Sequence, residues 1–119
     1  MTVLLAAGLV GGLGAILRFL LDGAVSGRVG RAFPFGTLAV NLSGAFVLGV
    51  LAGAALSDDA YRVAGTGLIG AFTTFSTWAL ESHRLAEDGR APLGALNFAA
   101  SLVLGVTLAW AGQRLGAAL

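Results

Sequence analysis

The most informative part of this sequence is GAFTTFSTW, residues 70–78. It places four hydroxyl side chains and three aromatic rings within nine residues, in the middle of an apolar segment. Serine and threonine hydroxyls can bond to helix carbonyls and often bend a helix, and Gly70 weakens the helix further. Irregular backbone is tolerated within a membrane only where protein, water or an ion satisfies it. We therefore predict a third helix that is broken mid-membrane, with freed carbonyl oxygens.

The composition around this stretch is that of a membrane protein. The 119 residues are 57% hydrophobic and 11% charged, and the mean hydropathy is +0.91. Soluble domains carry about 25% charged residues, so a normal water-facing surface cannot be built here. Because one span needs about 20 residues, four spans with short loops use the whole chain. We predict an all-α membrane protein with a single four-span transmembrane domain over residues 1–119.

Hydropathy sets the limits of the four spans. They are predicted at about residues 2–21, 35–56, 60–82 and 93–112. Residues 23–33 are predicted to form a loop, and Pro34 suits the first turn of the second helix because it has no N–H to satisfy. An even number of spans puts both termini on one side. The first and third loops carry four arginines against two on the other side, and this shallow bias allows insertion in both orientations.

Several absences exclude whole classes of function. The chain contains no cysteine, which excludes disulfides and thiolate metal sites. It contains no lysine, which excludes a Walker-type phosphate loop. A net charge of +1 gives no electrostatic footprint for nucleic acid, and no acid–base or nucleophile pair lies at one membrane depth. We therefore expect neither an enzyme nor a nucleic-acid-binding protein.

Polar side chains in the other spans are candidates for an ion pathway, and each has a structural alternative. Arg18 either snorkels to the interface or faces a vestibule, where it would concentrate anions. Asn41 either bonds a neighbouring helix or presents its amide N–H₂ to an anion. Ser101 lies one turn after Asn97 on a stripe predicted to face inward. No aspartate or glutamate lies mid-span, which favours an anion as the ion.

The aromatic rings of the third span suggest how an anion would be held. Phe72, Phe75 and Trp78 follow one another at i, i+3 and i+6. Aromatic rings carry a positive edge, so edges turned toward a narrow path hold an anion without a formal charge. A packed aromatic seam is the structural alternative. Carbonyls freed near a twofold axis would form a site for a hard cation.

Glycine pairs predict close helix packing. Residues spaced four apart let helix backbones approach closely in lipid. The pairs are Gly8 and Gly12, Gly49 and Gly53, and Gly112 and Gly116. Since a four-span monomer of this size has little interior, we expect a homodimer.

Three motifs in order along the chain carry a family resemblance. They are GGLGA at residues 11–15 with Arg18, PFGTL at residues 34–38 followed by Asn41 and Gly44, and TTFST at residues 73–77 with Glu81. Together these residues resemble the CrcB/Fluc family of fluoride channels, and the resemblance covers essentially the whole chain. Two positions depart from it, because Trp78 stands where a second phenylalanine is usual and Ala71 stands where a second glycine is common.

The resemblance implies a function, an assembly and a set of site residues. It implies an antiparallel, dual-topology homodimer with two pores that exports cytoplasmic fluoride passively through the plasma membrane of a prokaryote and so protects the cell. A central structural sodium ion would be held by the backbone carbonyls of Gly70 and Thr73 from both subunits. The fluoride pathway residues carried over are Asn41, Phe75, Ser76, Thr77, Trp78, Ser101 and Arg18.

Two other functions remain open on the sequence alone. A small multidrug exporter is another four-span, dual-topology design, but it needs a membrane-embedded acid, and the first span offers only Arg18. A non-transporting membrane scaffold would use the polar cluster only for assembly, and its signature would be a stable dimer without ion flux.

Overall fold

The chain folds entirely into helices connected by short turns. The structure is a computed structural model that describes residues Met1–Leu119. Its elements are α1 (Thr2–Val29), α2 (Phe35–Gly53), α3 (Asp58–Tyr61), a π-helical segment (Arg62–Ile69), α4 (Gly70–Phe72), α5 (Phe75–Glu87) and α6 (Ala91–Ala117). Four stretches are long and apolar enough to cross a membrane, namely Thr2–Val29, Phe35–Gly53, Asp58–Glu87 and Ala91–Ala117. The prediction of an all-helical chain with four long apolar helices is confirmed.

The helices do not end where hydropathy ends. The prediction of a loop over residues 23–33 is wrong, because α1 continues to Val29. The Ser26 hydroxyl donates to Asp22 Oδ1 at 3.1 Å, so the polar residues that interrupt the hydropathy bond within the helix. The helix ends only where Gly30 takes a φ of 79°, in the left-handed region that favours glycine. The apolar run therefore ends before the helix does, and the helix end is set by local backbone chemistry.

Glycine pairs bring α2 and α6 into backbone contact. A Cβ atom added to Gly49 would meet the Ala109 carbonyl oxygen, and one added to Gly112 would meet the Phe46 carbonyl oxygen. The predicted glycine pair in α2 therefore packs against α6, and the predicted pair in α6 packs against α2. The third pair, in α1, has no neighbour within 4 Å of either added Cβ and takes no part in packing within the chain.

Little of the chain is buried. Only 16 of 119 residues are buried, and Val40 and Asn97 are the largest fully buried side chains. The exposed large side chains are mostly apolar, and those of α1 include Leu4, Leu5, Leu9, Leu13, Ile16 and Phe19. An apolar exterior around a small interior is the arrangement expected where lipid or another membrane helix covers the surface.

Candidate functional site

Two extended residues lie between α4 and α5. Thr73 has φ −77° and ψ 157°, and Thr74 has φ −143° and ψ 124°. The Thr73 hydroxyl donates to the Ile69 carbonyl at 3.0 Å, the type of side-chain bond that competes with helix continuation. Gly70 itself keeps helical dihedrals of −60° and −37°. The interruption is therefore at the threonines, three residues beyond the glycine.

Asn41 of α2 satisfies the backbone at this interruption. Its Oδ1 accepts from the Thr74 N–H at 2.8 Å, and its Nδ2 donates to the Thr74 carbonyl at 2.8 Å. Gly44, one turn later, leaves the space that the Thr73 methyl group occupies. The amide that the sequence suggested as a pore lining thus has a structural role as well. Nδ2 keeps one N–H free, because an amide nitrogen carries two donors.

A groove opens beside the interruption, between α2, α5 and α6. Its volume is about 350 Å³, and its lining includes Asn41, Thr74, Phe75, Trp78 and Ser101. The Ser101 hydroxyl is buried there and has no hydrogen-bond partner. An unsatisfied buried polar group costs about 1–3 kcal/mol, which makes the Ser101 hydroxyl a candidate contact for a further partner. No acidic residue lines the groove.

The aromatic residues do not form one continuous stripe. Phe75 and Trp78 meet edge to face, with ring centroids 5.2 Å apart and planes at 82°. Phe72 lies on the other side of the interruption and lines a separate apolar cavity with Leu17 and Gly44. The predicted i, i+3, i+6 stripe is therefore wrong at Phe72, because the extended residues break the helical period. The two remaining rings differ in exposure, since Phe75 is 69% exposed and Trp78 is 9% exposed.

A second, polar cavity lies on the α1 side of the interruption. It has a volume of about 190 Å³, and Arg18, Asp22, Thr37, Thr74 and Thr77 are among its lining residues. Arg18 Nη1 lies 3.5 Å from the Thr73 carbonyl oxygen. The structure thus places Arg18 beside a cavity at the interruption.

The hydroxyls of Ser76 and Thr77 lie in different surroundings. Thr74 caps α5, because its hydroxyl oxygen accepts from the Thr77 N–H at 3.3 Å, and it also donates to Thr77 Oγ1 at 3.1 Å. Thr77 reaches the polar cavity, whereas Ser76 is exposed and lies outside both cavities. The structure therefore brings Asn41, Phe75, Trp78 and Ser101 together at the groove, and Arg18 and Thr77 at the polar cavity.

One contact of the site went unrecognised in the sequence. Thr37 Oγ1 donates to Glu81 Oε1 at 2.7 Å and joins α2 to α5. Glu81 also lines a cavity of about 290 Å³ near the first and third loops, together with Arg31, Arg84 and Arg90. The available signal was the spacing: Thr37 lies one turn before Asn41, and Glu81 one turn after Thr77.

Backbone carbonyls are the groups at this site that could hold a cation. No cluster of three or more His, Cys, Asp or Glu side chains is arranged for a metal. The Thr74 N–H donates to Asn41, so the Gly70 carbonyl loses the donor that an uninterrupted helix would supply. Gly70 is exposed, which leaves this carbonyl accessible at the surface of the chain. The donor set is therefore one of neutral oxygens, which suits a hard cation.

Four long apolar helical stretches, the third of them interrupted at Thr73 and Thr74, define a small multi-pass α-helical membrane protein. A family model described as "CrcB-like protein, Camphor Resistance (CrcB)" matches residues 5–113. The chain belongs to this CrcB family.

Similar proteins of known name come from several bacteria. The protein named "Fluoride-specific ion channel FluC 2" of Mycobacterium tuberculosis is 53% identical over 105 residues, covering 88% of this chain and 83% of the relative. "Fluoride-specific ion channel FluC" of Geobacter sulfurreducens is 44% identical over 117 residues, covering 94% of both chains. "Fluoride-specific ion channel FluC 2" of Rhodococcus jostii is 44% identical, covering 97% of this chain and 98% of the relative. These names are those of ion channels rather than enzymes.

Proposed function

We propose that this protein is a fluoride-specific ion channel whose conduction path follows the groove between α2, α5 and α6. The observation that carries the proposal is that Ser101, whose hydroxyl is buried and unpartnered, lines the same groove as Asn41 and Phe75. The names of the relatives support fluoride as the ion.

The chemistry of the groove suits a small, strongly hydrated anion. Such an ion gives up water only where protein donors replace it. Asn41 keeps one free amide N–H, Ser101 has a free hydroxyl, and the exposed Phe75 ring supplies a positive edge. The groove contains no carboxylate that would repel an anion. Together these groups form a weak, multi-point site that an ion can enter and leave.

The polar cavity supplies an entrance. Its lining carries one positive and one negative side chain, Arg18 and Asp22, and in this proposal the arginine is the group that attracts anions. Thr77 and Thr74 offer hydroxyls between this cavity and the interruption. No nucleotide-binding motif or mid-span carboxylate offers a site for energy coupling, so we propose passive flow down the fluoride gradient. In the plasma membrane of a bacterium this flow exports cytoplasmic fluoride and protects the cell.

The proposed assembly is an antiparallel homodimer with two pores and a central structural sodium ion. The shallow arginine bias supports insertion in both orientations. The Gly70 carbonyl fits the ion, because it is exposed and lacks its helix donor. The Thr73 carbonyl takes only a long contact from Arg18, at 3.5 Å, and retains a second lone pair. When bound, sodium would supply the positive charge that satisfies these carbonyls from both subunits.

Ser101→Ala tests the proposed path. The hydroxyl makes no bond within the protein, so its removal leaves the thermal stability equal or slightly higher. Fluoride efflux from liposomes falls about tenfold, because a lost hydrogen bond of about 1.4 kcal/mol changes a rate tenfold. Thr107→Ala is the matched control, since the Thr107 hydroxyl is exposed and donates to the Val103 carbonyl at 2.8 Å. Unchanged efflux in Ser101→Ala would exclude this groove as the path.

A further inference from the structure

The indole of Trp78 is held on several sides. Its ring stacks on Phe98 of α6, with centroids 4.4 Å apart and planes at 17°. Its Nε1–H points to the Asn97 carbonyl oxygen at 3.4 Å. Its remaining aromatic contact is the edge-to-face pair with Phe75. Trp78 is therefore 9% exposed although the neighbouring Phe75 is 69% exposed.

A buried polar network fixes the helix crossing that holds this indole. Asn97 is 1% exposed, and its Nδ2 donates to Ser82 Oγ at 2.8 Å. The Ser82 hydroxyl in turn donates to the Trp78 carbonyl at 2.9 Å. With the indole N–H on the Asn97 carbonyl, Trp78, Ser82 and Asn97 form a closed loop between α5 and α6. A satisfied buried network of this kind sets one geometry for the residues it joins.

We infer that Trp78 is a positioning residue for the fluoride path and does not donate its N–H to the ion. The N–H is directed at a backbone carbonyl and Phe98 covers one face of the ring. Trp78 therefore offers the groove that it lines no free donor, and it contacts Phe75 there. Trp78 thereby holds the ring whose exposed edge lines the groove. Phe98 takes part in conduction through Trp78 without lining the groove. This inference rests on the proposed function, and it departs from the expectation that Trp78 itself contacts fluoride.

Two substitutions of Trp78 separate positioning from donation. Trp78→Phe removes the N–H but keeps a ring against Phe98 and Phe75, and fluoride efflux stays within about threefold of wild type. Trp78→Leu removes the ring as well, and efflux falls about tenfold. A donor role for the indole makes the two variants equally slow, and that result would overturn the inference. Size-exclusion chromatography checks that both variants keep the wild-type assembly.

Phe98→Leu tests the contact from the α6 side. Phe98 is 43% exposed, so its ring is not needed to fill the core. Loss of the stack frees the indole, and fluoride efflux falls about fivefold. Phe35→Leu is the matched control, because Phe35 is 46% exposed and pairs with Phe33 at 4.8 Å, away from Trp78. Equal efflux in the two variants would contradict the inference.

A spectroscopic measurement tests the same contact without ion flux. The chain has two tryptophans, so Trp110→Phe leaves Trp78 as the single emitter. In that background Phe98→Leu lowers the fluorescence anisotropy of Trp78, and Phe35→Leu leaves it unchanged. Fluoride shifts the Trp78 emission no more than chloride does, and a fluoride-specific shift would show ion contact with the indole. If wild-type protein conducts no fluoride while anisotropy behaves as described, the proposed function fails and the positioning of Trp78 stands.

Discussion

Helices α2 and α6 meet in two different ways along their length. In one half, Gly49 and Gly112 bring the two backbones into direct contact. Nearer the start of each helix the groove beside Asn41 and Ser101 opens next to them, and nothing lies within 4 Å of a Cβ added to Gly105. In this region α6 also carries the stack between Phe98 and Trp78 of α5. Glycines thus give backbone contact in one region, whereas aromatic and polar side chains lie beside the helix pair in the other.

The largest expected effect comes from adding a side chain where the backbones of α2 and α6 are in contact. Gly112→Val places a side chain against the Phe46 carbonyl and the Val50 N–H, neither of which can move without shifting α2. Overpacking typically costs about 1–3 kcal/mol and occasionally more, and a clash with rigid backbone belongs at the upper end, so we expect little or no folded protein from detergent extraction. Gly105→Val is the control, because nothing lies within 4 Å of its added Cβ. That variant folds, although it narrows the groove and slows fluoride efflux. Similar yields of the two variants would show that α2 and α6 are not tightly packed at Gly112.

The next largest effect comes from removing the side chain that hydrogen-bonds the extended backbone at Thr74. Asn41→Leu leaves both the N–H and the carbonyl of Thr74 without their side-chain partner. Each unsatisfied group costs about 1–3 kcal/mol, so the melting temperature drops and fluoride efflux falls by at least tenfold. Ser43→Ala is the control on the same helix, since the Ser43 hydroxyl bonds only carbonyls of its own helix. Wild-type efflux and melting temperature in Asn41→Leu would show that this side chain supports neither the backbone nor the path.

The smallest expected effect comes from the link between α2 and α5. Thr37→Val keeps the shape of the buried side chain but removes its bond to Glu81. A hydrogen bond to a charged group contributes about 1.5–3 kcal/mol, and we expect a lower melting temperature with efflux reduced two- to fivefold. Thr66→Val is the control, because Thr66 is exposed in the π-helical segment. A stability loss without any change in efflux would limit this contact to a structural role.

The sequence was sufficient to predict the long apolar helices and the family, because both depend on patterns of composition and motifs that need no coordinates. Composition and hydropathy predict four long apolar helices, and the family that the motifs around Asn41, Thr73 and Glu81 resemble is the one whose model matches residues 5–113. Helix ends were not predictable in this way. Helix α1 continues to Val29 although its hydropathy falls at Asp22, because polar residues such as Asp22 and Ser26 can bond within a helix as well as in a loop.

The site was predictable as a set of residues but not as a geometry. Helical periodicity places Phe72 with Phe75, and two extended threonines separate them. The two hydrogen bonds between the Asn41 side chain and the Thr74 backbone depend on the relative depth of two helices, which no local sequence pattern encodes. Whether the Ser101 hydroxyl has a hydrogen-bond partner depends on how α2, α5 and α6 pack together. The roles of the seven pathway residues, and the carbonyl site at Gly70 and Thr73, stay predictions.

The most direct test of the central claim is ion efflux from liposomes that contain the purified wild-type protein. A fluoride electrode follows release from fluoride-loaded liposomes, and a chloride electrode follows a matched chloride-loaded preparation. The account predicts fast fluoride release that needs no energy source, with little chloride release. Release of neither ion from protein shown to be dimeric would contradict a channel and favour a membrane scaffold. Release that requires a proton gradient would favour a coupled exporter instead.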